Sequence, residues 1–189
     1  MSKLEALAAL LGIVNVALVA RRSIWNYPPG IAMVALYFFV FFQAKLYSDA
    51  LLQIFFLVIQ LYGWWNWLRS PRRDDGVAVE WMAPRQRIAW LCGTVAFALC
   101  WGLLMRAYTD AAAPLIDANI AGFSVAAQLL LSLRRVENWI LWVGVDLVAV
   151  ALFAWRGLAI TAGLYAVFLC MSAIGLVSWI RRASPRVAR

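Results

Sequence analysis

The chain of 189 residues contains no histidine at all, and only 14% of it is charged. Without an imidazole it lacks the commonest acid-base group and the commonest metal ligand. No Ser-Lys arrangement or pair of acids lies within its apolar stretches. Catalysis in the membrane would therefore want its usual parts, so an enzyme is the weaker reading, and neither a cofactor nor a metal is expected. Cysteine is scarce as well. Cys92, Cys100 and Cys170 all fall in apolar runs, show no metal or disulfide spacing, and read as small core residues.

Polar residues are too few to coat a globule. Hydrophobic residues make up 66% of the chain and the mean hydropathy is +0.81, whereas soluble domains are about half apolar and about a quarter charged. Lipid must cover the outside. A helix crosses the hydrocarbon core with about 20 apolar residues, and with as few as about 17. Residues 23–44, 50–68, 88–105, 118–133 and 157–180 contain no Asp, Glu, Lys or Arg; 6–20 is equally clean, and 138–155 is interrupted only by Asp146. Seven transmembrane helices is the simplest count. A transmembrane barrel would instead show short alternating segments. Residues 6–20 run into Arg21 and Arg22 rather than a small-residue cleavage site, so they read as a first span and not as a signal peptide.

The net charge of +8 is a statement about topology rather than nucleic acid. Seven spans leave eight flanking segments on alternating sides. One side holds 13 cations: Arg21 and Arg22; Arg69, Arg72, Arg73, Arg85 and Arg87; Arg134 and Arg135; and Arg181, Arg182, Arg186 and Arg189. The other side holds 4: Lys3, Lys45, Arg106 and Arg156. By the positive-inside rule the N-terminus is expected outside and the C-terminus in the cytoplasm.

An internal repeat organises these spans. At an offset of 113, Arg21-Arg22 falls on Arg134-Arg135 and Asn15 on Gln128; at 112, Gly63-x-x-x-Trp67 falls on Gly175-x-x-x-Trp179. The slip suggests one gap. Spans 1–3 and 5–7 then run in the same direction, and span 4 returns the chain between them. The expected fold is an all-α bundle of seven helices in a 3+1+3 arrangement of parallel repeats: residues 1–69 form the first, 70–112 a cytoplasmic loop and linker helix, and 113–189 the second with its basic tail. The loop at 69–87 reads as a solvated connector.

Polar side chains inside spans either join helices or line a path. Asn15, Gln53, Gln60, Gln128 and Asp146 are the main ones, with Gln53 and Gln60 two turns apart on one face; Tyr165 is the repeat equivalent of Gln53. In the sixth span Trp139, Trp142 and Asp146 stand at i, i+3 and i+7, one stripe that must face the bundle interior because the acid cannot face lipid. Indole faces there would stack on an aromatic or cationic ring. Trp67 and Trp179, beside arginines at helix ends, read as interface anchors, and Trp64 and Trp65 are similar.

These residues resemble the PnuC family of vitamin transporters. The likeness runs through Trp25-Asn-Tyr-Pro-Pro-Gly30, Gln53-x9-Gly63-Trp64-x-x-Trp67, Gln128, Glu137-x-Trp139-x-x-Trp142-x-x-x-Asp146, Gly157-Leu158 and Gly175-x-x-x-Trp179, with the Trp-x-x-Trp of span 6 the most specific element. It implies a fold similar to the SWEET sugar carriers and facilitated diffusion of a vitamin nucleoside, foremost nicotinamide riboside, trapped inside by a cytoplasmic kinase. Thiamine, riboflavin-type compounds and sugars remain alternatives, and a homotrimer is compatible with the family. Carried over, Gln53, Gln128, Asn138, Trp139, Trp142 and Tyr165 are the expected ligand contacts, while Asp146 is expected to hold span 6 in place.

Overall fold

The computed structural model describes residues 3–43, 47–73, 76–108, 114–157 and 159–183. Lys45, Leu158, Arg186 and Arg189, used above, lie outside these residues. Among the described residues there are seven α-helices: α1 (Lys3–Ala20), α2 (Tyr27–Gln43), α3 (Tyr47–Leu68), α4 (Pro84–Tyr108), α5 (Pro114–Ser132), α6 (Glu137–Trp155) and α7 (Ala159–Arg182). Two short strands, β1 (Arg72–Arg73) and β2 (Gly76–Val77), pair antiparallel between α3 and α4. Six helical segments are long and apolar enough to cross a membrane; the first helix contributes a shorter apolar stretch, Leu4–Ala20.

Local chemistry sets the ends. Pro84 and Pro114 open α4 and α5, where a missing N–H costs nothing. Gly157, at φ +74°, turns the chain out of α6, with its N–H donated to the Ala154 carbonyl. At the arginine-rich end, Arg22 and Arg134 both take left-handed backbone conformations, at φ 55° and 59°. Such a conformation is uncommon outside glycine and asparagine. Its recurrence at positions 112 apart therefore marks the same turn made twice.

Packing turns the usual order inside out. Leu51, Val58, Leu103, Ile160 and Ile174 are exposed, while Asn26, Gln60, Asn138, Asp146 and Ser172 are buried. Bilayer lipid accepts the former, and only protein can satisfy the latter. α2 packs against α1 and α3, α6 against α5 and α7, α3 against α5, and α7 against α1. α4 packs mainly on α5. That seam is made of small residues: a methyl group at Gly122 would come within 3.0 Å of Ala98 Cβ, and one at Gly102 within 2.9 Å of Leu115 Cδ2. An open apolar groove of about 980 Å³ lies between α3, α4 and α5, lined by Phe55, Trp90, Phe97, Trp101 and Val125 among others. None of the six expected ligand contacts lines it.

Three expectations need correction. Trp67 and Trp179 are not interface anchors: both are fully buried, and their indole N–H groups donate to the Leu131 and Val19 carbonyls at 3.2 and 3.1 Å. Trp65 is exposed, with the Arg69 guanidinium 4.2 Å over its ring, whereas Trp64 stacks on Tyr27 at 6.2 Å. Cys92, Cys100 and Cys170 are exposed rather than core residues, an apolar thiol being as acceptable to lipid as to protein. The loop at 69–87 is no solvated connector, because Val77, Val79 and Met82 are buried and Val77 and Val79 join the aromatic core.

Candidate functional site

The core begins at the arginine-rich end with four rings. Tyr27 meets Trp67 edge-on at 5.5 Å and Trp139 meets Trp179 edge-on at 5.7 Å, with Trp67 and Trp179 in contact at 6.1 Å. The two edge-on pairs are related by an offset of 112. The same offset relates the indole bonds Trp67 to Leu131 and Trp179 to Val19, and the bonds Asn66 Nδ2 to the Ser132 carbonyl and Ser178 Oγ to the Ala20 carbonyl. It also relates Asn26 and Asn138, whose Nδ2 atoms donate to the Ser23 and Arg135 carbonyls at 2.7 and 2.6 Å. One offset therefore serves, and the expected slip to 113 disappears: Arg22 corresponds to Arg134, and Asn15 to Ala127 rather than Gln128.

Each edge-on pair is seated on a glycine. A methyl group at Gly175 would lie 2.6 Å from Trp139 Cη2, and one at Gly63 would lie 2.7 Å from Tyr27 Oη. No side chain larger than hydrogen fits at Gly175 unless an indole moves.

The expected ligand contacts lie at three levels. Asn138 and Trp139 sit in the first turn of α6, both buried, with Asn138 Oδ1 and Trp139 Nε1 lacking a hydrogen-bond partner among the described residues. Trp142 lies one turn deeper, half-buried and packed against the aromatic core; Gln128, also buried, is one turn into α5 from Ser132. Gln53 and Tyr165 each precede Trp67 and Trp179 by 14 residues, about 21 Å at 1.5 Å per residue. Tyr165 is engaged there by Phe153, stacked at 5.2 Å, and by Phe168 at 6.3 Å.

Between the outer and inner levels lies a polar cluster that the expected set leaves out. Asn15 and Gln60 converge on Gly30 of α2, where a methyl group would come within 2.6 Å of both Asn15 Nδ2 and Gln60 Nε2. Asn15 also donates to the Asn26 carbonyl at 2.8 Å, and buried Gln60 Oε1 has no partner. At the offset of 112, Gly30 corresponds to Trp142, Gln60 to Ser172 and Val34 to Asp146. In the second half the serine hydroxyl donates to Asp146 Oδ2 at 2.8 Å, both residues being buried. The sequence did carry a signal for this cluster: a glycine within an apolar helix, with polar amides on the helices before and after it.

Gly30→Ala is expected to displace the Asn15 and Gln60 amides while leaving the fold intact, because both clashing atoms end flexible side chains. Losing one or two hydrogen bonds to a ligand would weaken binding by roughly 5- to 30-fold. Titration calorimetry on the purified variant checks this.

A bundle with lipid-facing apolar helices and polar groups buried along its interior defines a polytopic α-helical membrane protein. The chain belongs to the nicotinamide mononucleotide transporter family, whose model matches residues 2–181. It is 28% identical over 214 residues to the nicotinamide riboside transporter PnuC of Escherichia coli (strain K12), covering 100% of this chain and 90% of that protein. It is 29% identical over 177 residues to the riboflavin/roseoflavin transporter RibM of Streptomyces davaonensis, covering 92% and 83%. Its fold is similar to the crystal structure of the vitamin B3 transporter PnuC, with a TM-score of 0.78 and 26% identity over 94% of this chain and 80% of that one.

Proposed function

We propose that this transporter carries a vitamin nucleoside, foremost nicotinamide riboside, across a bacterial inner membrane by facilitated diffusion, with phosphorylation by a cytoplasmic kinase trapping the product. The observation carrying this reading is the whole-length likeness to a vitamin B3 transporter together with the half-buried Trp142 above a layer of buried amides. A flat indole stacks on a heteroaromatic ring, and amides pair with ribose hydroxyls.

Seven crossings in a 3+1+3 arrangement of parallel units, 1–69 and 113–189 joined through 70–112, are part of the proposal. The hydrogen bonds repeated at one offset support it, as does the matched packing of α3 on α5 and α7 on α1. The charge split favours an outside N-terminus and a cytoplasmic C-terminus. Trp142 and Gln128, with Asn15 and Gln60 added, form the inner contact set. Asn138 and Trp139 close it on the arginine-rich side, and Gln53 and Tyr165 belong to the outer approach. Asp146 fixes α6 through Ser172 and takes no part in coupling.

RibM favours a second reading, carriage of a flavin, whose larger ring would also stack on Trp142. Calorimetry of nicotinamide riboside, riboflavin, thiamine and a hexose against purified protein separates the readings. Nicotinamide riboside should bind most tightly; tighter binding of riboflavin would transfer the assignment, and binding of hexose alone would end it.

A further inference from the structure

The segment 76–87 crosses the arginine-rich end between the two left-handed turns and is bonded to both. Toward the first half, Val77 N–H donates to the Arg22 carbonyl at 3.1 Å, and Arg22 Nη1 donates to the Val77 carbonyl at 3.3 Å. Other bonds run toward the second half. Arg134 Nη1 donates to the Ala78 carbonyl, Glu80 N–H to the Arg134 carbonyl, and Val136 N–H to the Glu80 carbonyl, each at 3.1 Å. Arg135 pairs with Glu80 at 2.9 Å. A single oxygen, Glu137 Oε1, accepts both from Met82 N–H at 2.9 Å and from Arg87 Nε at 2.7 Å.

Val77 and Val79 project from this strap into the cluster that contains Tyr27, Trp67, Trp139 and Trp179. Trp142 is packed against the same cluster. For the two valines to leave, the strap must loosen from the second half, where Glu137 Oε1 holds both Met82 N–H and Arg87. Charge-assisted bonds are about twice as strong as neutral ones, and the Arg135–Glu80 and Arg87–Glu137 pairs are of that kind.

We infer that the strap is the inner gate of the carrier, and that Glu137 is its positioning residue, tying gate movement to the first turn of α6 that holds Asn138 and Trp139. The inference rests on the carrier reading above. An ordinary connector would not put two valines in the aromatic core. Nor would it spend the nearly buried carboxylate of Glu137, with 9% side-chain exposure, on a backbone N–H and a half-exposed arginine.

The test places a cysteine at Val79, 1% exposed, in protein whose Cys92, Cys100 and Cys170 are alanine, and follows its labelling by a water-soluble maleimide without ligand. Glu137→Gln should speed labelling on the order of tenfold, the effect of weakening one charge-assisted bond. Arg87→Gln, which cuts the same contact from a half-exposed position, should do likewise should the first variant fold poorly. With nicotinamide riboside, both variants should bind within about twofold of the parent yet change their counterflow rate severalfold, and Glu137→Asp should restore it. Labelling that stays slow in both variants would overturn the gate, as would affinity and rate falling together. A parent protein that binds no vitamin at all defeats the carrier reading instead, and leaves the ligand-free labelling result standing by itself.

Discussion

Gly175→Ala should lower the thermal midpoint of the purified protein by about 5–10 °C, as an overpacked core loses roughly 1–3 kcal/mol. The added methyl would fall 2.6 to 2.7 Å from three atoms of the Trp139 indole. That ring cannot step aside, because Trp179 meets it edge-on and Trp179 is itself held by its bond to Val19. Strain on Trp139 therefore reaches the α1–α7 contact. Gly163 is the control on the same helix, since a methyl there would meet nothing within 4 Å. Gly163→Ala should leave the midpoint unchanged or slightly raised. Equal midpoints for the two variants would remove the glycine seat from the account.

Trp142→Ala should weaken nicotinamide riboside binding by about 1–3 kcal/mol, or roughly 5- to 150-fold, by analogy with base stacking on aromatics. Trp142 is half-buried and stands where the first half has Gly30, so the two halves present different faces to the interior. Phenylalanine at this position should keep part of the affinity, having a smaller ring face. Calorimetry on folded protein reads both effects. Unchanged affinity in Trp142→Ala would make that indole a packing residue like Trp67 and Trp179.

The membrane fold was legible because lipid imposes a simple rule on sequence: long runs without charge, with arginines clustered at one side. The family was legible from span 6. What misled the sequence reading were patterns with two physical meanings. A tryptophan beside an arginine at a helix end describes an interfacial anchor and a buried donor alike, and only tertiary context separates Trp65 from Trp67. Arg21-Arg22 and Arg134-Arg135 can be aligned in two ways, and the left-handed backbone at Arg22 and Arg134 chooses between them. The loop at 69–87 looked solvated because its arginines and acids dominate the count. Val77 and Val79, alternating with smaller or polar neighbours, were a strand signal overlooked. Gln53 stands 14 residues before Trp67, about 21 Å along α3, and Gln60 only seven.

The central claim, uncoupled carriage of a vitamin nucleoside, is tested most directly in proteoliposomes with labelled nicotinamide riboside. Asp146 lies in the middle of α6, bonded to Ser172, with no salt bridge among the described residues. A proton relay would need a partner able to exchange protons on both sides, and the chain has no histidine to supply one. With unlabelled vitamin inside and no gradients, labelled vitamin should enter rapidly by counterflow, and an imposed pH gradient should not concentrate it. Accumulation driven by the pH gradient, and abolished by Asp146→Asn with binding intact, would contradict the account.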